Sequence, residues 1–343
     1  MEIKELSKNM EEDAEKEEFL DASNLGKRKF WYNRTFILFA MMEWMRDREV
    51  SFLCRFSRKN NIRNLNIGAV EILMKYLGIQ TNTERDNNES AKDPFRFFLD
   101  KKNYRVYSSL GKIKWEDFPI KVLSYSIGER KKQQIEIKDY YEKYTYDYTG
   151  GIDFDGDQTY KVIDGKEIKE NLDISQEESV NRALEDLKVV RDLFNKYKIK
   201  YFVQFSGSRG FHLFYEIPLD IDYRQKIGLC NRIKKALWET LDLKTIDRYP
   251  DTLRKVFKCP YTLETNKGVT RVILPLDDSQ IDNFDISKTD VNWVYRNISG
   301  IKTRGLLWRN NNIIKLQDTI NYNKMLEDFE IEIPKLEECK KYD

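Results

Sequence analysis

KYFVQFSGSRGFHLFYEI, residues 200–217, is two apolar runs joined by Ser206-Gly207-Ser208-Arg209-Gly210. Each run is rich in aromatic and β-branched residues and about the length of a strand, and the glycine-bearing linker is short enough to reverse the chain. The stretch therefore predicts a β-hairpin. Its second strand carries His212, the only histidine in 343 residues.

Upstream, TGGIDFDGD (149–157) alternates Ile152 and Phe154 with Asp153 and Asp155, the period of a half-buried strand. Between the two lies SQEESVNRALEDLKVVRDLFNKYKI (175–199). Ser175 and Glu178 have capping-box spacing, and Val180, Leu184, Leu187, Val190 and Phe194 fall on one face, so a long helix is expected. Downstream, residues 222–244 read as a second helix and VTRVILPL (269–276) as a further strand. The dense FWYNRTFILFAMMEWM (30–45) predicts a buried helix, GAVEILMKYL (68–77) a short amphipathic one, and TNTERDNNESAKD (81–93) an exposed loop. The expected class is α+β, with a mixed or antiparallel sheet core flanked by helices.

Composition narrows the classes. With 40% hydrophobic residues, 15 Gly and 7 Pro, the chain has enough apolar material for a sizeable core and is not low-complexity. The longest apolar run, Phe36 to Met42, is far short of the roughly 20 residues of a spanning helix, and the acidic N-terminus has no secretory pattern. A cytoplasmic protein with no membrane partner is expected. Its four cysteines form no CxxC pair, so reduced structural thiols are expected and no structural zinc. Sixty Lys+Arg against 58 Asp+Glu leave a net charge of only +2, so nucleic-acid binding has to come from local patches. One such patch runs from Asp222 to Lys258, with ten bases, among them Lys234 and Lys235, against five acids. The organisation expected is a charged arm (1–28), a catalytic domain (29–285) and a C-terminal extension packing on it (286–343).

Asp153 and Asp155, two apart on a strand, put both carboxylates on one face, about 7 Å apart at Cα. Two hard oxygen ligands so placed suit Mg²⁺ or Mn²⁺, although a solvated strand face would give the same pattern. In the turn, the glycines permit close backbone approach, Ser206 offers a hydroxyl and Arg209 a bidentate fork for phosphate, while His212 can donate to a phosphate oxygen. The plain alternative is an ordinary turn followed by an exposed histidine. A third acid is available at Asp247, with Asp251 as its competitor.

GIDFDGD, SGSRGFH, and TID followed by VFKCPYTLETNKG resemble, in that order, the three signature motifs of the catalytic subunit of archaeal and eukaryotic DNA primases. The resemblance covers roughly residues 30–280. It implies the archaeo-eukaryotic primase fold, with Asp153, Asp155 and Asp247 as catalytic acids holding two Mg²⁺ or Mn²⁺ ions. It also implies that Ser206, Arg209, His212 and Lys258 bind the nucleotide. RDREVSFLCR resembles the family's R-E-F-x-F segment, which adds Glu49 and then Arg63 near the nucleotide sugar or phosphate. The implied activity is DNA-templated synthesis of short replication primers from nucleoside triphosphates on single-stranded DNA, with a large primase subunit as a partner. There are three departures. Residues 156–205 contain no Cys or His, where the family often has a zinc cluster; only 35 positions run from His212 to Asp247; and Glu264 stands where a histidine often follows the third motif. These leave room for a stand-alone primase-polymerase of a plasmid, virus, or defence or repair system. A non-catalytic nucleic-acid-binding module and a metal-dependent phosphohydrolase are the readings from other classes.

Overall fold

The computed structural model describes residues 142–297 apart from 165, 254 and 267–268, residues 315–342 and 104–114, strands at 48–56 and 61–68, and Trp31, Met41 and Trp44. The arm (1–28), the loop (81–93), residues 69–77 and most of 30–45 lie outside the described residues. Trp31, Met41 and Trp44 are helical and buried. Gly68 closes a strand where the sequence suggested a helix start.

Thirteen strands are described: β1 (Arg48–Phe56), β2 (Asn61–Gly68), β3 (Tyr104–Ile113), β4 (Thr145–Tyr148), β5 (Gly150–Asp155), β6 (Gln158–Ile163), β7 (Lys166–Asn171), β8 (Tyr201–Phe205), β9 (Gly210–Tyr215), β10 (Val256–Lys258), β11 (Leu263–Asn266), β12 (Val269–Val272) and β13 (Pro275–Leu276). One antiparallel sheet runs β10-β3-β1-β2, with β4 also on β3. A second, also antiparallel, runs β13-β8-β9-β5. The 269–276 run is thus two strands, β12 pairing with β11 and β13 with β8. The class is α+β: antiparallel sheets flanked by helices.

Among the described residues three helices exceed ten residues: α1 (Gln176–Lys196), α2 (Tyr223–Leu241) and α3 (Leu316–Asp328). The Ser175 side chain caps α1 by accepting from Glu178 N at 3.1 Å. Asp222 and Gln225 form a full capping box at the start of α2. The apolar stripe of α1, with Val180, Ala183, Leu187, Val190 and Phe194 all buried, packs on β5 and β9. Phe194 meets Tyr215 edge-on at 5.3 Å. Each such aromatic contributes about 1.5–3 kcal/mol by leaving water. On the opposite face, Phe214 and Phe257 pack at 5.2 Å and bring the two sheets together. Residues 316–342 lie against the middle: Tyr322, Met325 and Leu326 join the core, and Arg232 of α2 pairs with Glu338 at 2.7 Å.

The hairpin of β8 and β9 puts the side chains of Gln204, His212 and Asp153 in one row across three strands. Gly210 faces Asp155 in this register, and a Cβ there would overlap the carbonyl oxygen of Phe154. Gly210→Ala therefore cannot be absorbed without parting β5 from β9. We expect about 1–3 kcal/mol of destabilisation in urea unfolding. A Gly210→Ala protein as stable as wild type would contradict that register.

Candidate active site

Asp153 and Asp155 leave β5 on the face away from α1, because Ile152 and Phe154 of the alternate phase are fully buried. The segment carrying the third acid is fastened along the strand. Asp155 N donates to Thr245 O at 2.7 Å, Asp247 N donates to Asp153 O at 2.8 Å, and Ile246 bridges Phe154. Asp186 of α1 holds that segment in place, accepting from Lys244 N, Thr245 N and Thr245 Oγ1 at 2.7–2.8 Å.

The turn 206–210 is anchored just as firmly. Gly207 has φ +82°, the left-handed region that suits glycine, and a Cβ there would strike Ile273 and Glu264. Ser206 N donates to Gly210 O at 2.9 Å, and Ser206 Oγ accepts from Gly210 N at 3.2 Å. From the first turn of α1, Gln176 Nε2 donates to Ser208 O at 2.7 Å and Ser179 Oγ to Arg209 O at 3.0 Å. The turn is held by these hydrogen bonds from its own ends and from α1.

Together these elements wall a cleft of about 420 Å³ lined by Asp153, Asp155, Asp157, Ser206, Arg209, His212, Lys258 and Glu264, among others. Arg209, 43% exposed at its side chain, pairs with Asp157. Lys258 Nζ donates to Ser206 O at 2.9 Å and pairs with Glu264 at 2.8 Å, so Glu264 forms an ion pair. His212 is buried rather than exposed, with Nδ1 at 2.8 Å from Gln204 Nε2 and Nε2 at 3.6 Å from Asp153 Oδ1. Burial, with Lys258 and Lys255 nearby, holds its pKa well below the usual imidazole value, so the ring is neutral.

Burial, and after it the Asp155 and Asp247 carboxylates, pushes Asp153 well above the ordinary carboxylate range. Burial also raises Asp155, with Asp247 adding to the effect. Asp153 Oδ1 is buried and has no hydrogen-bond donor among the described residues. A buried carboxylate oxygen without a donor, beside a second carboxylate, is a hard-oxygen site suited to a divalent cation. Asp153 and Asp155 fit Mg²⁺ or Mn²⁺ on that ground. The carboxylate of Asp247 is engaged elsewhere: Lys255 at 3.1 Å, Lys169 of β7 at 3.4 Å and the Tyr160 hydroxyl of β6 at 3.2 Å. Burial alone would raise its pKa, but Lys255 and Lys169 hold it below the usual range. Among the described residues no three acids, histidines or cysteines converge on one point.

The competitor Asp251 is buried against Lys234 at 3.0 Å, and neither it nor Asp247 is among the residues that line the cleft. The Asp251–Lys234 pair corrects one expectation: Lys234 does not face a phosphate backbone, because it is buried and donates to Asp251 and to Tyr249 O at 2.6 Å. Its neighbour Lys235 is 61% exposed. Glu49 lies on β1 opposite Gly68, and Arg63 on β2 opposite Cys54; their side chains lie outside the described residues. Sequence reasoning missed Gln204, Asp157 and the lysines around Asp247. Only Gln204 carried a signal, as a polar residue in the middle of an apolar strand.

No family model matches this sequence, and no curated protein is similar to it. Among solved structures, the polymerase domain from Mycobacterium tuberculosis Ligase D in complex with DNA is similar, with 11% identity and a TM-score of 0.46, over 84% of this chain and 99% of that one. At that distance the likeness bears on neither the residues nor the chemistry, which stand on the cleft alone. No described helix is long and apolar enough to cross a membrane.

Proposed function

We propose that this chain is a DNA-template-directed nucleotidyltransferase of the primase-polymerase kind, taking nucleoside triphosphates and single-stranded DNA. The observation that carries the reading is the meeting of Asp153, whose buried Oδ1 has no donor among the described residues, with Asp155 and the hydrogen-bonded Ser206–His212 turn in one cleft. Asp153 and Asp155 would hold divalent cations, and Asp247 would join them by exchanging its lysine partners for a cation. When bound, two such ions lower the pKa of an attacking 3′-hydroxyl and neutralise the triphosphate and the departing pyrophosphate. Arg209 binds phosphate oxygens with its planar fork, Lys258 adds a point charge, and the Ser206 hydroxyl, which accepts from Gly210 N, has its own O–H to donate to them. The neutral His212 ring donates one hydrogen bond to them. Glu49 and Arg63 would serve the sugar and phosphate, a role implied by the family resemblance alone, as is a large-subunit partner. The reaction needs no covalent enzyme intermediate.

Between primer synthesis as a replicative subunit and a stand-alone primase-polymerase, the short span from His212 to Asp247 favours the compact, stand-alone enzyme, since α2, with 19 residues, is the one helix it holds. Arg209→Ala tests the nucleotide site. A charge-assisted contact is worth about 1.5–3 kcal/mol, so the nucleotide KM should rise roughly 10- to 100-fold with template affinity unchanged. Equal loss of template binding would mean that the turn grips nucleic acid in general.

A further inference from the structure

Gln204 lies in the middle of β8, fully buried, opposite His212 of β9. Burying an amide costs free energy unless it is paired. Its Oε1 has no partner among the described residues, so the side chain sits there with an unmet acceptor. Its nitrogen, by contrast, is used twice: Nε2 lies 2.8 Å from the Lys258 main-chain oxygen and 2.8 Å from His212 Nδ1. A carbonyl oxygen only accepts, so the amide must turn its NH₂ toward Lys258, and this fixes its orientation. The second amide hydrogen then points at Nδ1, which has to accept it. A neutral imidazole carries a single N–H, so the proton sits on Nε2, the nitrogen facing Asp153 and the cleft.

We propose that Gln204 is a positioning residue that locks His212 in its Nε2–H tautomer, so that the ring presents a hydrogen-bond donor to the substrate phosphates. The same lock withholds from the cleft the Nε2 lone pair that would otherwise ligate a cation beside Asp153. The cation site is left to oxygen ligands, the donor set that suits Mg²⁺ and Mn²⁺ over softer metals. The tautomer follows from the hydrogen bonds alone; its purpose rests on the nucleotide-binding reading of the cleft.

His212 is the only histidine, so ¹⁵N-histidine labelling of the full chain gives one imidazole spectrum. In chelator-treated wild type, Nδ1 should resonate as a pyridine-type nitrogen and Nε2 as a pyrrole-type one. A protonated Nδ1 there overturns the proposal, with no variant required. Gln204→Glu puts an acceptor against Nδ1 in either charge state, since a protonated carboxyl would give its hydrogen to the Lys258 oxygen. Nδ1 should then gain a proton; where the ring stays neutral Nε2 gives its own up, and the nucleotide KM rises about tenfold, the worth of one charge-assisted hydrogen bond. A folded Gln204→Glu protein that keeps Nδ1 unprotonated overturns the assignment. A purely structural glutamine would lower the melting temperature and leave the tautomer alone. The spectra require no turnover, so they decide the tautomer even if nucleotidyl transfer is never observed.

Discussion

Asp153→Asn is expected to abolish nucleotide transfer and, without divalent cations, to stabilise the fold. The loss of activity follows from removing the charge that holds a cation. Cation stabilisation of developing charge is worth several kcal/mol, about a thousandfold in rate at roughly 1.4 kcal/mol per decade. The gain in stability follows from the same oxygen. Asp153 Oδ1 is buried without a donor among the described residues, and burial with Asp155 and Asp247 beside it raises the carboxyl pKa. For a group raised in the folded state, stability is fully present below the unfolded pKa of about 3.9 and is lost as pH rises through the folded value. At pH 8 the isosteric amide removes that cost. We expect on the order of 1 kcal/mol, or about 2 °C in a chain of this size. At pH 3.5 the difference should vanish. Mg²⁺ or Mn²⁺ should raise the melting temperature of wild type and leave Asp153→Asn unmoved; calorimetry at both pH values reads all of this. An Asp153→Asn protein that still extends primers at the wild-type rate would remove Asp153 from the metal site.

Lys234→Ala should cost about 3–5 kcal/mol of stability, because it leaves the buried Asp251 carboxylate without its 3.0 Å partner. Lys255, 3.9 Å from the same carboxylate and already shared with Asp247, does not replace it. Lys235→Ala, one position on and largely exposed, should stay within about 0.5 kcal/mol of wild type. Urea unfolding of the two variants separates them by several kcal/mol. A Lys234→Ala protein of wild-type stability that had lost template affinity would restore the surface role the sequence suggested.

These two lysines mark where sequence reading runs out. Charge and spacing identify a basic helix, but α2 has a buried side, and Lys234 falls on it with Ile233 and Leu237. Lys234 is on the buried side because Asp251, seventeen residues later, folds back to meet it. The hairpin and α1 were legible for the opposite reason. Their signals are local: alternation in GIDFDGD, a glycine turn in SGSRG, and Ser175 ahead of an apolar stripe. Convergence of Asp153, Asp155 and His212 on one cleft followed once those strands paired in register. The lysine cage around Asp247 was not legible, since Lys169 comes from the β6–β7 hairpin and Tyr160 from the same hairpin's other strand. Nor was the burial of His212, for which an exposed position after an ordinary turn was the plain alternative. The face of β9 that carries it packs against Phe257 of the other sheet, 5.0 Å from the imidazole ring.

The most direct measurement of the central claim is product formation by the purified full chain on single-stranded DNA of defined sequence. Labelled nucleoside triphosphates would be supplied with Mg²⁺ or Mn²⁺, with and without a primer, and the products resolved by length. The account predicts products that lengthen with time, pair with the template base by base, and disappear with chelator or in Asp153→Asn. Template binding that survives chelation with no incorporation, or phosphate release with no growing product, would contradict it.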